Sequence, residues 1–443
     1  MYSTFNDKLS RTKYTNKCLV LDIDETLVHT FDSFSLLKQL RIFSDPANTD
    51  LRIRTYTLRL ENEQNDHFEL FGVTRPYVED FLSFCFKYFQ SVIVWSAGQK
   101  TYVHDICKFL FRNLRQPDLI WTRNDCIITT DSNGEIINVE KPLANSIAEC
   151  DLMVMAARKY NRVVQVGQQQ RSGDHWKKAI TFIREGKIGQ LRKIKVWGNF
   201  NYGIGSPVIP DEPIPAGVDY DRWLGPAPQR TFNKSRFHGS WRMFWDYGGG
   251  LLTDWGVHLI DMALWSKNID YTPLSVVATG GNFSFPGNAH ETFDTMNVEY
   301  QLKDILISWE HTAGTQQGPY NRSYGLAFTG NDATLVADRE GWELFPENDN
   351  GRFKVPALPK QDGRDSHEEH MKNFIECIKS RQDPNCPIEN GRLVALYTHM
   401  GNIALRTQTR LEWNDTNKNF GDNKAANALI MPAYRKPWHL PKV

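Results

Sequence analysis

The sequence predicts an α/β protein in two parts, a parallel β-α-β N-terminal region and an α+β C-terminal domain with a mostly antiparallel open sheet. Three observations predict it. Short apolar runs alternate with helix-period segments over roughly the first 120 residues, the order of a parallel sheet. After about residue 188, longer stretches alternate apolar and polar residues in period two. Between them the composition breaks: residues 1–140 hold three of the 30 glycines (Gly72, Gly98, Gly134) and two of the 13 tryptophans, but twelve of the 25 phenylalanines. Two modules of different origin are expected, joined near Gly134–Lys141.

Lys17-Cys18-Leu19-Val20-Leu21 reads as a buried parallel strand that ends in acidic residues. Pro76 to Tyr88 has apolar residues at helical spacing, with Pro76 suited to a first turn. Ser91–Trp95 is a second buried strand, Tyr102–Phe111 a helix, and Asp118–Trp121 a short third strand. The second module opens with Val139-Glu140-Lys141-Pro142-Leu143. A helix over Ser146–Tyr160 follows, with Ser146 and Glu149 spaced as a capping box. Arg162–Val166 is then a strand. Ile194–Phe200, Leu274–Phe283, Thr295–Leu302, Ile305–His311 and Tyr324–Thr329 read as sheet strands, and Glu368–Ser380 and Gly391–Arg406 as closing helices.

The chain has 443 residues, with Lys plus Arg and Asp plus Glu both 52. That balance argues against binding nucleic acid or a membrane surface by bulk positive charge. No apolar run is long enough to span a bilayer. The polar start, MYSTFNDKLSRTKYTN, predicts no signal peptide, and seven cysteines without a CxxC pair fit free thiols in a reducing compartment. A cytoplasmic location is expected.

The first chemical motif is Leu21-Asp22-Ile23-Asp24-Glu25-Thr26 at a strand end. Two carboxylates two residues apart there can divide labour, one attacking phosphorus and the other protonating the leaving group. Both need Mg²⁺ to hold the phosphate and damp their repulsion. A solvated acidic turn is the competing reading of the motif alone. LVLDIDETLVHT, RPYVEDFL and VIVWSAG, in that order, resemble the haloacid dehalogenase (HAD-like) superfamily over residues ~15–135, and most of all its C-terminal-domain phosphatases. The resemblance implies Asp22 as nucleophile, Asp24 as general acid/base, both at the Mg²⁺, and Ser96 as phosphate ligand, with a phosphoprotein as substrate; Arg75 is expected to be structural. No later apolar strand ends in the acidic pair that family uses to complete its metal shell, so Mg²⁺ binding is expected to be weak.

The second motif joins Glu140-Lys141-Pro142 to Gly248-Gly249-Gly250-Leu251-Leu252-Thr253-Asp254-Trp255-Gly256-Val257-His258. In a helix, Asp254 and His258 would be i,i+4 and share a face. Histidine there can accept an alcohol proton at neutral pH, although an Asp-His pair on a helix is often structural. VEKPLANS, VVQVGQQQRS, IGQLRKIKVWGNF, RWLGPAP, GGGLLTDWGVHLIDM and ANALIMPAYRKPWHLP together resemble the Gfo/Idh/MocA (glucose-fructose oxidoreductase/inositol dehydrogenase) family over residues ~139–443. This implies NAD or NADP as cofactor and a sugar or polyol as substrate. Lys141 would bind the reacting hydroxyl, His258 would be the acid/base and Asp254 would assist; a homo-oligomer is expected from the same resemblance. That family opens with a dinucleotide-binding strand and GxGxxG. No GxGxxG occurs here, and Gly203-Ile204-Gly205 lies in a loop, so no cofactor-binding residue is identifiable.

The expected organisation is therefore residues 1–138, a partial phosphatase-like region; 139–187, the last β-α-β piece of a Rossmann-like domain; and 188–443, a substrate and oligomerisation domain. The chain reads as chimera-like, oxidoreductase by its larger module and phosphatase by its smaller, and impaired in both activities. A Mg²⁺-dependent phosphatase using Asp22 and Asp24 and a catalytically inactive fusion or interaction protein are the alternatives.

Overall fold

In a computed structural model, residues 18–23, 26–31, 45–61, 67–96, 100–121, 137–215 and 218–443 are described. The chain divides into two compact units, Met1–Glu135 with Ile214–Tyr220, and Ile136–Pro213 with Asp221–Val443.

In the first unit, β1 (Cys18–Leu21) is followed by β2 (Val28–Phe31), β3 (Thr55–Glu61) and β4 (His67–Thr74). Helix α1 (Val78–Tyr88), β5 (Ser91–Trp95), α2 (Lys100–Leu110) and β6 (Leu119–Trp121) complete it. β1, β5 and β6 form a parallel sheet in that order, with Leu21 opposite Val94 and Ile93 opposite Leu119. Leu21, Val92 and Val94 pack with Leu82 of α1 and with Val103, Ile106 and Leu110 of α2. The antiparallel sheet β2-β4-β3 was not expected. Its signal is present in Thr55-Tyr56-Thr57-Leu58, where Tyr56 and Leu58 turn inward and the threonines outward.

The second unit starts with β7 (Ile137–Val139), α3 (Ile147–Lys159) and β8 (Val164–Val166); β7 and β8 pair in parallel. Ser146 caps α3: its Oγ accepts from the Glu149 N–H at 3.2 Å and donates to Glu149 Oε2 at 2.8 Å. Helix α4 (Asp174–Arg184) buries Trp176, Ala179, Ile180 and Ile183, a stripe at helical spacing.

An eight-stranded sheet follows. It contains β9 (Lys193–Gly198), β10 (Ser275–Gly281), β11 (Thr295–Gln301), β12 (Leu306–Thr312), β13 (Tyr324–Thr329), β14 (Ala333–Asp338), β15 (Gly341–Pro346) and β16 (Gln361–Asp362), ordered β10-β11-β12-β9-β13-β14-β15-β16. Every pairing is antiparallel except β12 with β9. Met296, Val298 and Tyr300 of β11 point into the core while Asn297 and Glu299 point away, as period two requires. Two further helices join α4 in that core, and a third lies outside it. α5 (Val257–Ser266) is buried almost all round, whereas α6 (His367–Ser380) buries one face; α7 (Ile388–Thr407) adds Val394, Tyr397 and Met400. The mixed α/β class, with a parallel sheet and a mostly antiparallel larger one, is the class expected from sequence.

Candidate functional site

Lys141 stands on the turn between β7 and α3, preceding a cis Lys141–Pro142 peptide. The turn is fixed on both sides: the Gly167 N–H donates to Val139 O at 2.9 Å, and the cap at Ser146 holds α3. Asp254 comes from the opposite direction. The chain turns at Gly250, whose φ of 66° is left-handed, and Asn402 of α7 donates to Gly249 O at 2.8 Å. The helix starts at Gly250 and Leu251, passes through a π turn at Leu252–Gly256 and continues as α from Val257. Asp254 lies in the π turn and His258 in the α-helix after it, so their four-residue spacing spans a change of hydrogen-bond register. A single π turn inside a helix is a device that often re-aims a side chain.

The two approaches meet. Lys141 Nζ donates to Asp254 Oδ1 at 2.7 Å and to the Asp254 carbonyl at 2.6 Å. The Tyr202 hydroxyl donates to Asp254 Oδ2 at 3.0 Å, and Arg242 Nε lies 3.5 Å from Oδ1. Lys141 and Asp254 retain only 17% and 12% side-chain exposure, so their pairing is far less screened than a surface salt bridge. Burial and the Asp254 charge push the Tyr202 phenol up, keeping it a donor.

His258 is buried, and its Nδ1 has no hydrogen-bond partner. Burial, then the charges of Lys141, Arg339 and His367, hold its pKa well below the ordinary histidine value, so the ring is neutral. Beside it the segment after β8 passes beneath α5: Gln168 Nε2 donates to Val257 O at 3.2 Å, while its Oε1 is buried without a partner. Arg171 makes a buried two-pronged pair with Asp261 at 2.7 and 2.8 Å, anchoring this segment to α5. Trp255 stacks on Phe200 at 4.4 Å and packs on Tyr324 at 4.9 Å, and the Arg339 guanidinium lies 4.5 Å from its ring centroid. A cleft of about 570 Å³ opens here, lined by Asn201, Tyr202, Gly203, Arg242 and Asp254 among others.

In the first unit, Asp22 is exposed just past β1, where its Oδ2 accepts from the Thr26 hydroxyl at 3.1 Å. Ser96 is buried just past β5. The two follow the paired residues Leu21 and Val94, so they sit at the same edge of the parallel sheet. Asp24 lies outside the described residues. The Arg75 N–H donates to Leu27 O at 2.9 Å. Among the described residues no three His, Cys, Asp or Glu side chains gather where they could hold a metal ion, and no helix is long and apolar enough to cross a membrane.

Sequence reasoning missed Tyr202, Arg242 and Arg339. Tyr202 follows a strand and precedes Gly203-Ile204-Gly205, and that glycine pair was the available signal; both glycines adopt positive φ. The two arginines stand in no recurring spacing that could single them out.

Residues 186–312 and 348–440 match the model of the oxidoreductase family C-terminal alpha/beta domain, of Gfo/Idh/MocA type. Residues 17–183 match the NLI interacting factor-like phosphatase model. That second match runs through β7, α3, β8 and α4, which fold into the larger unit. An uncharacterized oxidoreductase of Bacillus subtilis, YrbE, is 23% identical over 261 residues, 57% of this chain; the chain spans 63% of that relative's length. Among solved structures, levoglucosan dehydrogenase in complex with NADH and L-sorbose aligns at a TM-score of 0.51 and 15% identity, covering 76% of this chain and 94% of that one. The super-repressor mutant of Gal80p from Saccharomyces cerevisiae aligns at 0.51 and 12% identity, covering 79% and 95%. These likenesses establish the fold.

Proposed function

We propose, for a chain that joins a phosphatase-like module to an oxidoreductase-like module, that the larger unit binds a sugar or polyol in the cleft beside Asp254. The observation that carries this reading is the convergence of Lys141, Asp254 and Tyr202 on one partly buried, hydrogen-bonded point at the cleft. Lys141 Nζ would donate to a substrate hydroxyl, with Asp254 holding the ammonium in place. His258, neutral and with an unsatisfied nitrogen, would accept a hydrogen bond from that hydroxyl. A few convergent polar groups in a concave site are the usual pattern for small-molecule recognition.

The nicotinamide dinucleotide implied by resemblance does not fit the turns this chain offers. Pyrophosphate needs a glycine-rich turn at a helix N-terminus. The turn after β1 instead presents the Asp22 carboxylate and leads into strand β2. The turn after β7 carries Glu140, and a glycine fingerprint is absent from the sequence. We therefore propose a binding site without hydride transfer by this chain alone. The test is a calorimetric titration with a panel of neutral and anionic sugars, beside a fluorescence titration with NADH. Some member of the panel is expected to bind, with affinity falling at least about tenfold in Lys141→Ala, the loss of one charge-assisted hydrogen bond. NADH should bind at least about tenfold more weakly than in an oxidoreductase with a complete fingerprint. A panel without a single binder sinks the sugar reading, and a micromolar Kd for NADH sinks the claim about the cofactor.

A second reading, phosphoryl chemistry in the smaller unit, is favoured by the common sheet edge of Asp22 and Ser96. A carboxylate there would attack phosphorus while the serine hydroxyl holds a phosphate oxygen. The metal donor set is short of the acidic pair, so we derive no step through Mg²⁺.

A further inference from the structure

Helix α1 carries two apolar stripes, and the first unit buries one of them. Val78, Leu82 and Cys85 face the core at i, i+4 and i+7. Beside that stripe Phe81, Phe84 and Tyr88 recur at i, i+3 and i+7, with Phe81 45% and Phe84 55% exposed. The rings of Phe84 and Tyr88 stack at 5.3 Å. Tyr77, at the N-cap of the helix, is 82% exposed and holds a φ of 59°. A left-handed backbone is unfavourable for a bulky side chain, and the interior gains almost no burial from this one. Single exposed aromatics are ordinary on a monomer, whereas a row of them along one helix marks an interaction surface.

Asp80 and Lys87 border the row. They are seven residues apart, about two turns, so they stand on the same flank of the helix, and both are exposed. Among the described residues neither has an ion-pair partner. Glu79, by contrast, is taken by Arg112 at 2.6 Å. An acid toward the N-terminal end and a base toward the C-terminal end of one flank form a pattern that complements itself when reversed. The partner that such a face fits without any further condition is a second copy of the same helix.

We propose that two copies of this chain associate through α1, antiparallel about a two-fold axis. Equal flanks of the two helices then meet, so Asp80 of each copy lies level with Lys87 of the other and two symmetric ion pairs form. A two-fold axis midway between Ser83 and Phe84 sets this register. It also places Phe81 level with Phe86 of the second copy, between that copy's Phe84 and Tyr88, and brings the two Phe84 rings together at the centre. The area sets the strength. At roughly 150–250 Å² per aromatic side chain, the exposed parts of Tyr77, Phe81, Phe84 and Tyr88 from two copies amount to on the order of 800 Å². That is below the size of a standard interface and fits a weak, reversible dimer. The contact draws on no residue of the cleft, and it is separate from the homo-oligomer that the resemblance of the larger module implies.

The test is sedimentation velocity on the full chain over a concentration series from low micromolar to submillimolar. The weight-average mass is expected to rise with concentration, and to rise less at elevated salt, which screens the ion pairs. Asp80→Lys and Lys87→Asp each set like charges against one another in both pairs, and each should weaken association about fivefold or more. The double variant Asp80→Lys/Lys87→Asp exchanges the charges and should restore it. Phe84→Ser should abolish the rise. Circular dichroism checks folding; should Phe84→Ser unfold, the charge exchange carries the comparison, because a lost fold would not be repaired by the second charge change. A mass independent of concentration overturns the inference and leaves the aromatic row to a different partner. An association that every variant retains, or single charge variants that the double variant does not repair, overturns it too and assigns self-association to another surface.

Discussion

Asp22 is a carboxylate at the C-terminal edge of a parallel sheet, one residue beyond the pair Leu21 and Val94 and level with the strand that delivers Ser96. It is exposed, and its Oδ2 accepts from the Thr26 hydroxyl. Slow hydrolysis of a small aryl phosphate in magnesium buffer is therefore expected. Asp22→Asn should abolish that rate, because an amide is not a competent nucleophile. A variant as fast as the parent would assign the activity elsewhere. Residues of this kind were legible because each lies inside a run of sequence that constrains it. Asp22 ends an apolar strand, Lys141 sits between a strand and a capped helix, and Asp254 follows three glycines. Arg339 follows Asp338 with no pattern around it. Only the fold brings it onto the ring of Trp255.

The glycine turn and the π turn after it form one device. Gly250 has φ of 66°, and a Cβ built on it would stand 2.7 Å from Thr292 Cβ. Gly250→Ala therefore meets both an unfavourable backbone conformation and a packed neighbour. The expected loss is about 1–3 kcal/mol in chemical denaturation. Sugar affinity should fall with it, since the turn aims Asp254. An unchanged denaturation midpoint would mean that the turn relaxes freely. Periodicity anticipated a helix through this segment and could not see the π turn at Leu252–Gly256, because a shift in hydrogen-bond register leaves the apolar pattern almost untouched. Strand β14 escaped for the opposite reason. All six of its residues are buried, so it has no alternation to read. β11 alternates and was found at nearly its observed bounds.

At the scale of the molecule, the larger unit is built around neutral histidines. His311 accepts from Trp309 Nε1 at 2.9 Å and lies 3.0 Å from the Phe293 carbonyl through its other nitrogen, and His399 lies 3.0 Å from Ala144 O. Burial pulls each of their pKa values down to about 4, far below the ordinary 6.5. A folded-state value below the unfolded one means that the unfolded chain takes up the proton first as pH falls. The stabilisation is thus present above about pH 6.5 and is lost progressively as pH drops toward 4, on the order of 2–3 kcal/mol for each ring. Denaturant midpoints measured near pH 7 and near pH 5 should differ accordingly, and His399→Gln should reduce the difference. Equal midpoints would show that these rings protonate inside the fold. None of this was legible in the sequence, where the histidines carry no sign of their depth. The two-module organisation was, because glycine and tryptophan are so scarce in the first 140 residues and so common after them.

The position of β9 has a consequence for how the chain is made. This strand lies inside the eight-stranded sheet, yet both of its neighbours come from far downstream: Val196 stands opposite Trp309 on one side and Leu326 on the other. More than a hundred residues separate it from either partner. During synthesis at about 5–20 residues per second, β9 leaves the ribosome roughly ten seconds before its first partner exists. Through that interval Ile194, Val196 and Trp197 present an apolar strand with two unsatisfied edges, the kind of surface that pairs with the wrong chain. Lys193 and Lys195, alternating with those residues, are the charges the nascent strand carries against that outcome.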